Sequence, residues 1–432
     1  MNIRNFTDIK SLLLDNKSAK QTIFKNTFWL GLTGVIQKGI SFLVVVWLAR
    51  HFGPVIYGKW AFALSFTALF AFLPNFGFGL LTIRELARDK AKTAEYLDNI
   101  IMMKVVLGLI ALGFVAVIIQ FLGKDLEVIK LVYFLGIYTV LNTFADFFQS
   151  IFRANQKMQY ETLCQGMRGL SLIGLVGFFI LNKSPILSIS YAYIGAVLIG
   201  ILFSLLFIWR YFSKFFLKID LKICKEILKK AWPFALSVLL SVIYFKISIV
   251  FLSVMRGDYE VGIYSPSYNL ILLSFILPEY LTISIYPYFS KLFVEDKHKL
   301  IDNFFRMFKL FLSAGLIIFL LIALLAPFVI KVIYGSQYQD SIIVLQILSI
   351  SVLLAYLAYP AGVSLSSVNL QKYRVKGQFL SAGSAILANL ILIPIFGIYG
   401  VIYSFIISEA ILGVSYYYFF YKKFCRIYLR IS

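Results

Sequence analysis

A chain of 432 residues that is 61% hydrophobic and 14% charged, with mean hydropathy +0.87, carries more apolar surface than a water-soluble fold of this length can bury. Lipid is therefore the expected solvent. The net charge of +21 would suit a nucleic-acid binder in a soluble chain. Here the distribution of Lys and Arg among loops accounts for it, and no nucleic-acid partner is expected.

Apolar runs of about 19–27 residues, each able to cross roughly 30 Å of hydrocarbon as a helix, fall near 28–49, 60–83, 100–122, 131–152, 164–182, 186–209, 232–254, 261–286, 307–330, 341–367, 379–396 and 399–421. These are numbered spans 1 to 12. No run has the alternating period of a membrane strand, so the fold class is an all-α integral membrane protein. The first span is too long for a signal h-region and follows a polar leader, so no cleavable signal is expected.

Between spans 1 and 2 lies a Gly/Pro corner, and much of it returns 204 residues later. Gly53, Gly58 and Leu73-Pro74 recur as Gly257, Gly262 and Leu277-Pro278, and Asp98-Asn99 as Asp302-Asn303. Six spans in each half make this a parallel repeat about an axis along the membrane normal. The expected organisation is an N-terminal lobe over residues 1–209, a basic amphipathic linker over 210–231 and a C-terminal lobe over 232–432. The linker carries seven bases against two acids, and it is expected to lie along the anionic inner leaflet, where a contact with a lipid substrate is a further reading of it.

Orientation follows from the bases. The leader, the even-numbered loops (with Lys309 at the edge of span 9) and the tail hold 30 Lys and Arg, and the odd-numbered loops hold seven. Both termini are expected in the cytoplasm of a multi-pass inner-membrane protein. Cys164, Cys224 and Cys425 then fall near the cytoplasmic side and are expected as reduced thiols.

A charge inside the bilayer costs several kcal/mol unless a cavity or a partner receives it. In span 4, Tyr138, Asn142, Asp146, Gln149 and Arg153 step by three or four residues and form one stripe, which is expected to face a wet interior. A structural alternative pairs Asp146 with Arg153 or Arg168. Span 1 has a polar face of Thr33, Gly34, Gln37, Lys38 and Ser41. In span 8 Glu279 follows Pro278, which frees the carbonyl four residues back and makes a hinge beside a titratable acid; a kink with a structural acid is the other reading. In span 7 Ser237, Ser241, Tyr244 and Ser248 share one face and Lys246 points the other way. Arg84 is either a snorkelling anchor or part of an inner mouth, and Glu409 is an acid with no partner in view. No nucleotide-binding GxxxxGK[ST] run, Cys/His cluster or nucleophile elbow occurs, and no cofactor is expected.

The corner ARHFGPVIYGKWAFALSF resembles that of the polysaccharide-repeat (O-antigen type) flippases of the multidrug/oligosaccharidyl-lipid/polysaccharide exporter superfamily. So do NFGFGLLTIRELA at 75–87, GDYEVGIYSPSYNLI at 257–271, PYFSKLF at 287–293, IYGSQYQDSIIVLQIL at 333–348 and NLILIPIFGIYGVIYSFIISE at 389–409. The resemblance implies a V-shaped pair of six-helix lobes around a central cavity. It also implies transport of a polyprenyl-diphosphate-linked oligosaccharide among membrane lipids, beside other polysaccharide-assembly membrane proteins. Gly53, Pro54, Tyr57, Gly58, Gly257, Gly262, Tyr264, Asn389, Pro394, Gly397 and Gly400 carry it as scaffold. Relatives place an acid in the middle of span 7, where this chain has Lys246 and Ser248.

On this reading Lys38, Arg84, Arg153 and Lys246 attract the diphosphate and acidic sugars, because their donors meet its oxygens with charge assistance. Asn142 and Gln149 line the cavity, and Asp146 and Glu279 are the acids for H+ or Na+ coupling. Two other readings stand beside it. A multidrug or organic-cation antiporter would favour acids over bases in its cavity, and a membrane glycosyltransferase or polymerase would need a sizeable outer loop with carboxylates. The topology has a direct test: cysteines introduced at Gly123 and Ser184 should label from outside intact cells, and one at Ser213 should not. Labelling at Ser213 would reverse the orientation.

Overall fold

The computed structural model describes residues 19–214 and 218–426. The leader as far as residue 18, residues 215–217 of the linker and the tail beyond 426 lie outside the described residues. Among the described residues every extended element is a helix. Fourteen α-helices follow one another: α1 Ala19–Phe70, α2 Phe72–Asn75, α3 Phe78–Arg88, α4 Thr93–Gln120, α5 Leu126–Ala154, α6 Met158–Leu181, α7 Ile186–Tyr211, α8 Leu221–Arg256, α9 Asp258–Ser274, α10 Ile276–Glu295, α11 Lys297–Ile333, α12 Ser341–Ser367, α13 Gln371–Phe396 and α14 Ile398–Phe420. Helices close their own backbone hydrogen bonds, which hydrocarbon requires. Aspartates mark several starts: Asp125, Asp220 and Asp296 accept from the amides of Val128, Lys222 and Lys299.

Eleven helical segments are long and apolar enough to cross a membrane. The first, Phe24–Phe70, has 47 residues, enough for two crossings, and is interrupted at Gly53 (φ 76°, ψ 174°). It supplies span 1 and the first half of span 2, whose remainder is α2 and the start of α3, so the twelve expected spans and the eleven long helices agree. Large apolar side chains cover the outside: Leu109, Phe114 and Val117 on α4 and Leu324 and Phe328 on α11 are each at least half exposed. That is a lipid-facing surface.

Residues divide into two compact units. One contains residues up to Trp47 and Phe66–Leu239; the other contains Leu48–Ser65 and everything from Leu240. The corner thus belongs to the second unit, and the linker helix belongs to the first. Residues 221–231 are the opening turns of α8. Cys224, Ile227 and Ala231 bury themselves among Leu86, Leu97, Ile100 and Phe152, while Lys222, Lys225, Lys229 and Lys230 stay exposed. Asn99, from the repeated Asp-Asn pair, accepts from the Asp220 amide at 2.8 Å. Part of the apolar face expected to meet the leaflet is therefore spent on protein, while Ile219 and Leu221 stay exposed.

In the second unit the two copies of the corner pack on each other. A Cβ on Gly58 would lie 1.8 Å from the Asp258 carbonyl oxygen, and one on Gly262 would lie 1.9 Å from that of Pro54. Subtracting the repeat offset of 204 from Asp258 and Gly262 returns Pro54 and Gly58, so the contact is reciprocal and locally two-fold. Gly53 and Gly257 match as well, with φ of 76° and 96°.

Each interruption releases carbonyls, and side chains from distant helices collect them. Pro54 has no N–H for the Arg50 carbonyl; Gln337 Nε2 donates to it at 2.9 Å, and Tyr338 Oη donates to Ala49 at 2.9 Å. Pro278 likewise frees the Ser274 carbonyl, which receives the Tyr356 hydroxyl at 3.0 Å. In the first unit span 2 breaks at Phe76 and Gly77, both left-handed. Lys104, 1% exposed, donates to the Pro74 carbonyl at 2.6 Å and to Thr143 Oγ1 at 3.1 Å, between the rings of Phe144 and Phe147.

The corner contact has a clean control. Gly58→Ala and Gly262→Ala each force backbone apart and should cost more than the ~1–3 kcal/mol of ordinary overpacking. Gly39→Ala, with nothing within 4 Å, should be neutral or stabilise by up to ~1 kcal/mol. Thermal unfolding of the purified variants in detergent reads the difference, and equal melting of all three would contradict the packing described.

Candidate functional site

In the first unit the polar residues of spans 1, 4, 5 and 6 meet. Thr33 and Thr162 share a hydrogen bond of 2.7 Å that fixes α1 against α6. One turn and two turns further along α1, Gln37 and Ser41 line a cavity of about 150 Å³ with Tyr138, Asn142, Gln165, Arg168 and Tyr193. Arg168 Nη2 donates to Tyr138 Oη at 3.1 Å, and the Tyr138 and Tyr193 rings meet edge to face at 5.1 Å. Gly200 on α7 leaves room for the Arg168 stem, whose Cβ would stand 3.2 Å from an added methyl.

The span-4 stripe divides along its length. Tyr138 and Asn142 reach the cavity, and Asn142 Nδ2 donates to Asp146 Oδ2 at 3.2 Å. Asp146 is exposed and feels Arg168, Lys104 and Arg153 electrostatically. Gln149 is only 5% exposed and does not line this cavity. Arg153 is not paired with Asp146. It forms a two-pronged bridge to Glu161, with Nε to Oε2 at 2.9 Å and Nη2 to Oε1 at 2.5 Å, and the Glu161 side chain is fully buried. Eight residues separate the pair across the turn from α5 to α6, so the bridge fastens that turn.

Of the other cations, Lys38 is half-buried on α1, one residue off the line of Gln37 and Ser41. Arg84 bridges Glu85 at 2.9 Å and lies over the Phe234 ring at 5.3 Å, an anchored position that is 42% exposed.

In the second unit a cavity of about 220 Å³ opens between α8, α12, α13 and α14, lined among others by Ser241, Tyr244, Tyr359, Arg374, Glu409 and Tyr416. Glu409, 3% exposed, accepts the Tyr244 hydroxyl. Arg374 Nη1 donates to Ser366 Oγ at 3.0 Å, and Asn389 Nδ2 to Ser248 Oγ at 2.9 Å. The hydroxyl face of span 7 therefore turns into its own unit. Lys246 stands on the opposite face, half-buried, with no hydrogen bond or ion pair among the described residues. Glu279 sits in the first turn of α10, exposed, and does not line this cavity.

Sequence reasoning missed two things here. Arg168 registered only as an in-span base and as a partner for Asp146, although its spacing from Gln165 and Gly169 marks the same helix face. Glu409 lacked a partner because Tyr244 lies 165 residues away.

The chain is 23% identical over 408 residues to the capsular polysaccharide biosynthesis protein CapF of Staphylococcus aureus, covering 93% of this chain and 100% of that one. Among solved structures it matches a multidrug resistance MATE family transporter of the MOP superfamily in an inward-facing conformation, with TM-score 0.72, 18% identity and coverage of 91% and 97%. It matches the lipid II flippase MurJ, inward closed, with TM-score 0.71, 16% identity and coverage of 91% and 87%. The fold is the one these solved structures share. A polysaccharide biosynthesis protein model matches residues 23–293, more than half of the sequence, and the chain belongs to that family.

Proposed function

We propose that this membrane protein moves a lipid-diphosphate-linked oligosaccharide repeat unit across the cytoplasmic membrane by alternating access. The halves 1–209 and 232–432, joined through 210–231, are the lobes that alternate. The family supports a saccharide pathway, and the likeness to MurJ, titled a lipid II flippase, supports a lipid-linked cargo.

The observation that carries the reading is Lys246. An ammonium near the middle of a membrane helix costs about 2.5–3.5 kcal/mol on insertion scales. Lys104, in the same predicament, is answered by Pro74 and Thr143. Lys246 is answered by nothing in the described protein. A cation held at that cost without a protein partner suits a cargo that brings its own anion, and a diphosphate does. The same excess of bases inside spans argues against an organic-cation antiporter. Lys38 is the base that span 1 of the first half offers to the same cargo. Coupling to H+ or Na+ falls to Asp146, beside three cations, or to Glu279 at its proline hinge.

Replacing Lys246 separates cargo binding from architecture. Lys246→Met should reach at least normal membrane abundance and melt no lower than the parent, because it removes a burial cost, while surface polysaccharide in a complemented deletion strain falls by about tenfold or more, the equivalent of 1.4 kcal/mol. Lys246→Arg should keep part of the activity. Undiminished polysaccharide with Lys246→Met at normal abundance would remove this residue from substrate binding.

A further inference from the structure

We propose that the cavity around Arg168 is a subsite for an anionic group on the transported saccharide, one sugar's carboxylate or phosphate. The inference rests on the transport reading above and assigns that reading a place in the first unit.

Arg168 Nη1 is buried and has no hydrogen-bond partner among the described residues. Leaving a buried charged donor unmet is costly, and the rest of the side chain is held in place at that cost. Tyr138 fixes Nη2 at 3.1 Å, and Gly200 admits the stem against α7. The orphaned donor therefore belongs to a guanidinium that is positioned and not merely trapped.

Asp146 does not answer it. No ion pair joins Asp146 to Arg168, and the carboxylate does not line the cavity. The lining holds no acid at all. In the second unit Arg374, on α13, also keeps a buried nitrogen without a hydrogen-bond partner, but its cavity has an acid, Glu409, in the lining. In the first unit Asp146 acts on Arg168 only through space, and Nη1 is left for a group from outside the protein.

The surroundings narrow the ligand. Gln37, Asn142 and Gln165 are planar amides that pair with hydroxyl groups in either sense. Tyr138 and Tyr193 offer aromatic faces for an apolar sugar face. At about 150 Å³ the cavity is below the roughly 300 Å³ at which small-molecule pockets begin, so it takes one substituent or one ring and not the whole repeat unit. Arg is the residue for a two-oxygen acid in such a setting, since its donors match carboxylate and phosphate geometry.

Cysteine protection tests this without measuring transport. Cys164, Cys224 and Cys425 are all buried, so Asn142→Cys reports in a quiet background. In purified protein, excess sodium glucuronate should slow labelling of Asn142→Cys by a water-soluble thiol reagent about tenfold, or 1.4 kcal/mol. Glucose at the same concentration should leave the rate unchanged. Protection should vanish in the Arg168→Gln background and persist in part with Arg168→Lys, which also serves if the Gln variant does not fold. Inorganic phosphate is the second arm: protection by phosphate alone assigns the subsite to a phosphoryl group, and protection by glucuronate alone assigns it to a sugar acid. Equal protection by glucose, protection that survives Arg168→Gln, no protection by either anion, or no labelling of Asn142→Cys would overturn the proposal. Surface polysaccharide from the same strains keeps the two readings apart. If the parent restores polysaccharide but shows no anion protection, only the subsite falls. If anion protection is seen but the parent restores none, the transport reading falls.

Discussion

Hydrocarbon supplies no hydrogen bonds, and this chain breaks its helices within it as well as at the corner between spans 1 and 2. The rest of the architecture answers those breaks. Pro54 leaves the Arg50 carbonyl bare and Gln337 supplies the donor; Pro278 leaves Ser274 bare and Tyr356 supplies it. At the break in span 2 the donor is the ammonium of Lys104. An unmet backbone group in lipid costs several kcal/mol, comparable with much of a domain's net stability, so each of these distant side chains is a condition for its break. The breaks in turn allow α1 to bend at Gly53 and α9 to start at Gly257, and the two corners to close on each other through Gly58 and Gly262.

The same constraint sorts the buried charges. Lys104 closes a helix break, Arg153 and Glu161 fasten the turn between α5 and α6, and Arg84 is held by Glu85 and Phe234. Glu409 is held by Tyr244. Once these are accounted for, three cationic features are left over among the described residues: Lys246 as a whole, one nitrogen of Arg168 and the Nε of Arg374. The proposed binding of an anionic cargo rests on Lys246 and Arg168. Charges with structural partners and charges without them are indistinguishable by residue type, and only their neighbours separate them.

The helical spans were legible because twenty apolar residues in a row have one stable outcome in a bilayer. The corner repeat was legible too, since Gly and Pro are strong punctuation, and Pro278 was read correctly as freeing a carbonyl four residues back. What collects that carbonyl was not legible, because Tyr356 lies 82 residues further on and nothing local marks it. The amphipathic linker shows the same limit. Its apolar face is plain in sequence, but lipid and protein are equally good at burying it, and Cys224 and Ile227 turn out to face protein. Gln149 shares the angular position of Tyr138 and Asn142, but it lies about 10 Å further along α5 than Asn142, where it is buried away from the cavity lining.

The central claim is that the cargo's negative charge, and not its sugar alone, is what the spare cations receive. Reconstituted vesicles test it most directly. They would carry either a polyprenyl-diphosphate saccharide or a neutral glycolipid with the same sugar, with a membrane-impermeant lectin reporting the sugar on the outer leaflet. The protein should speed equilibration of the diphosphate-linked saccharide and leave the neutral glycolipid at its protein-free rate. Equal acceleration of both lipids, or of neither, would contradict the account.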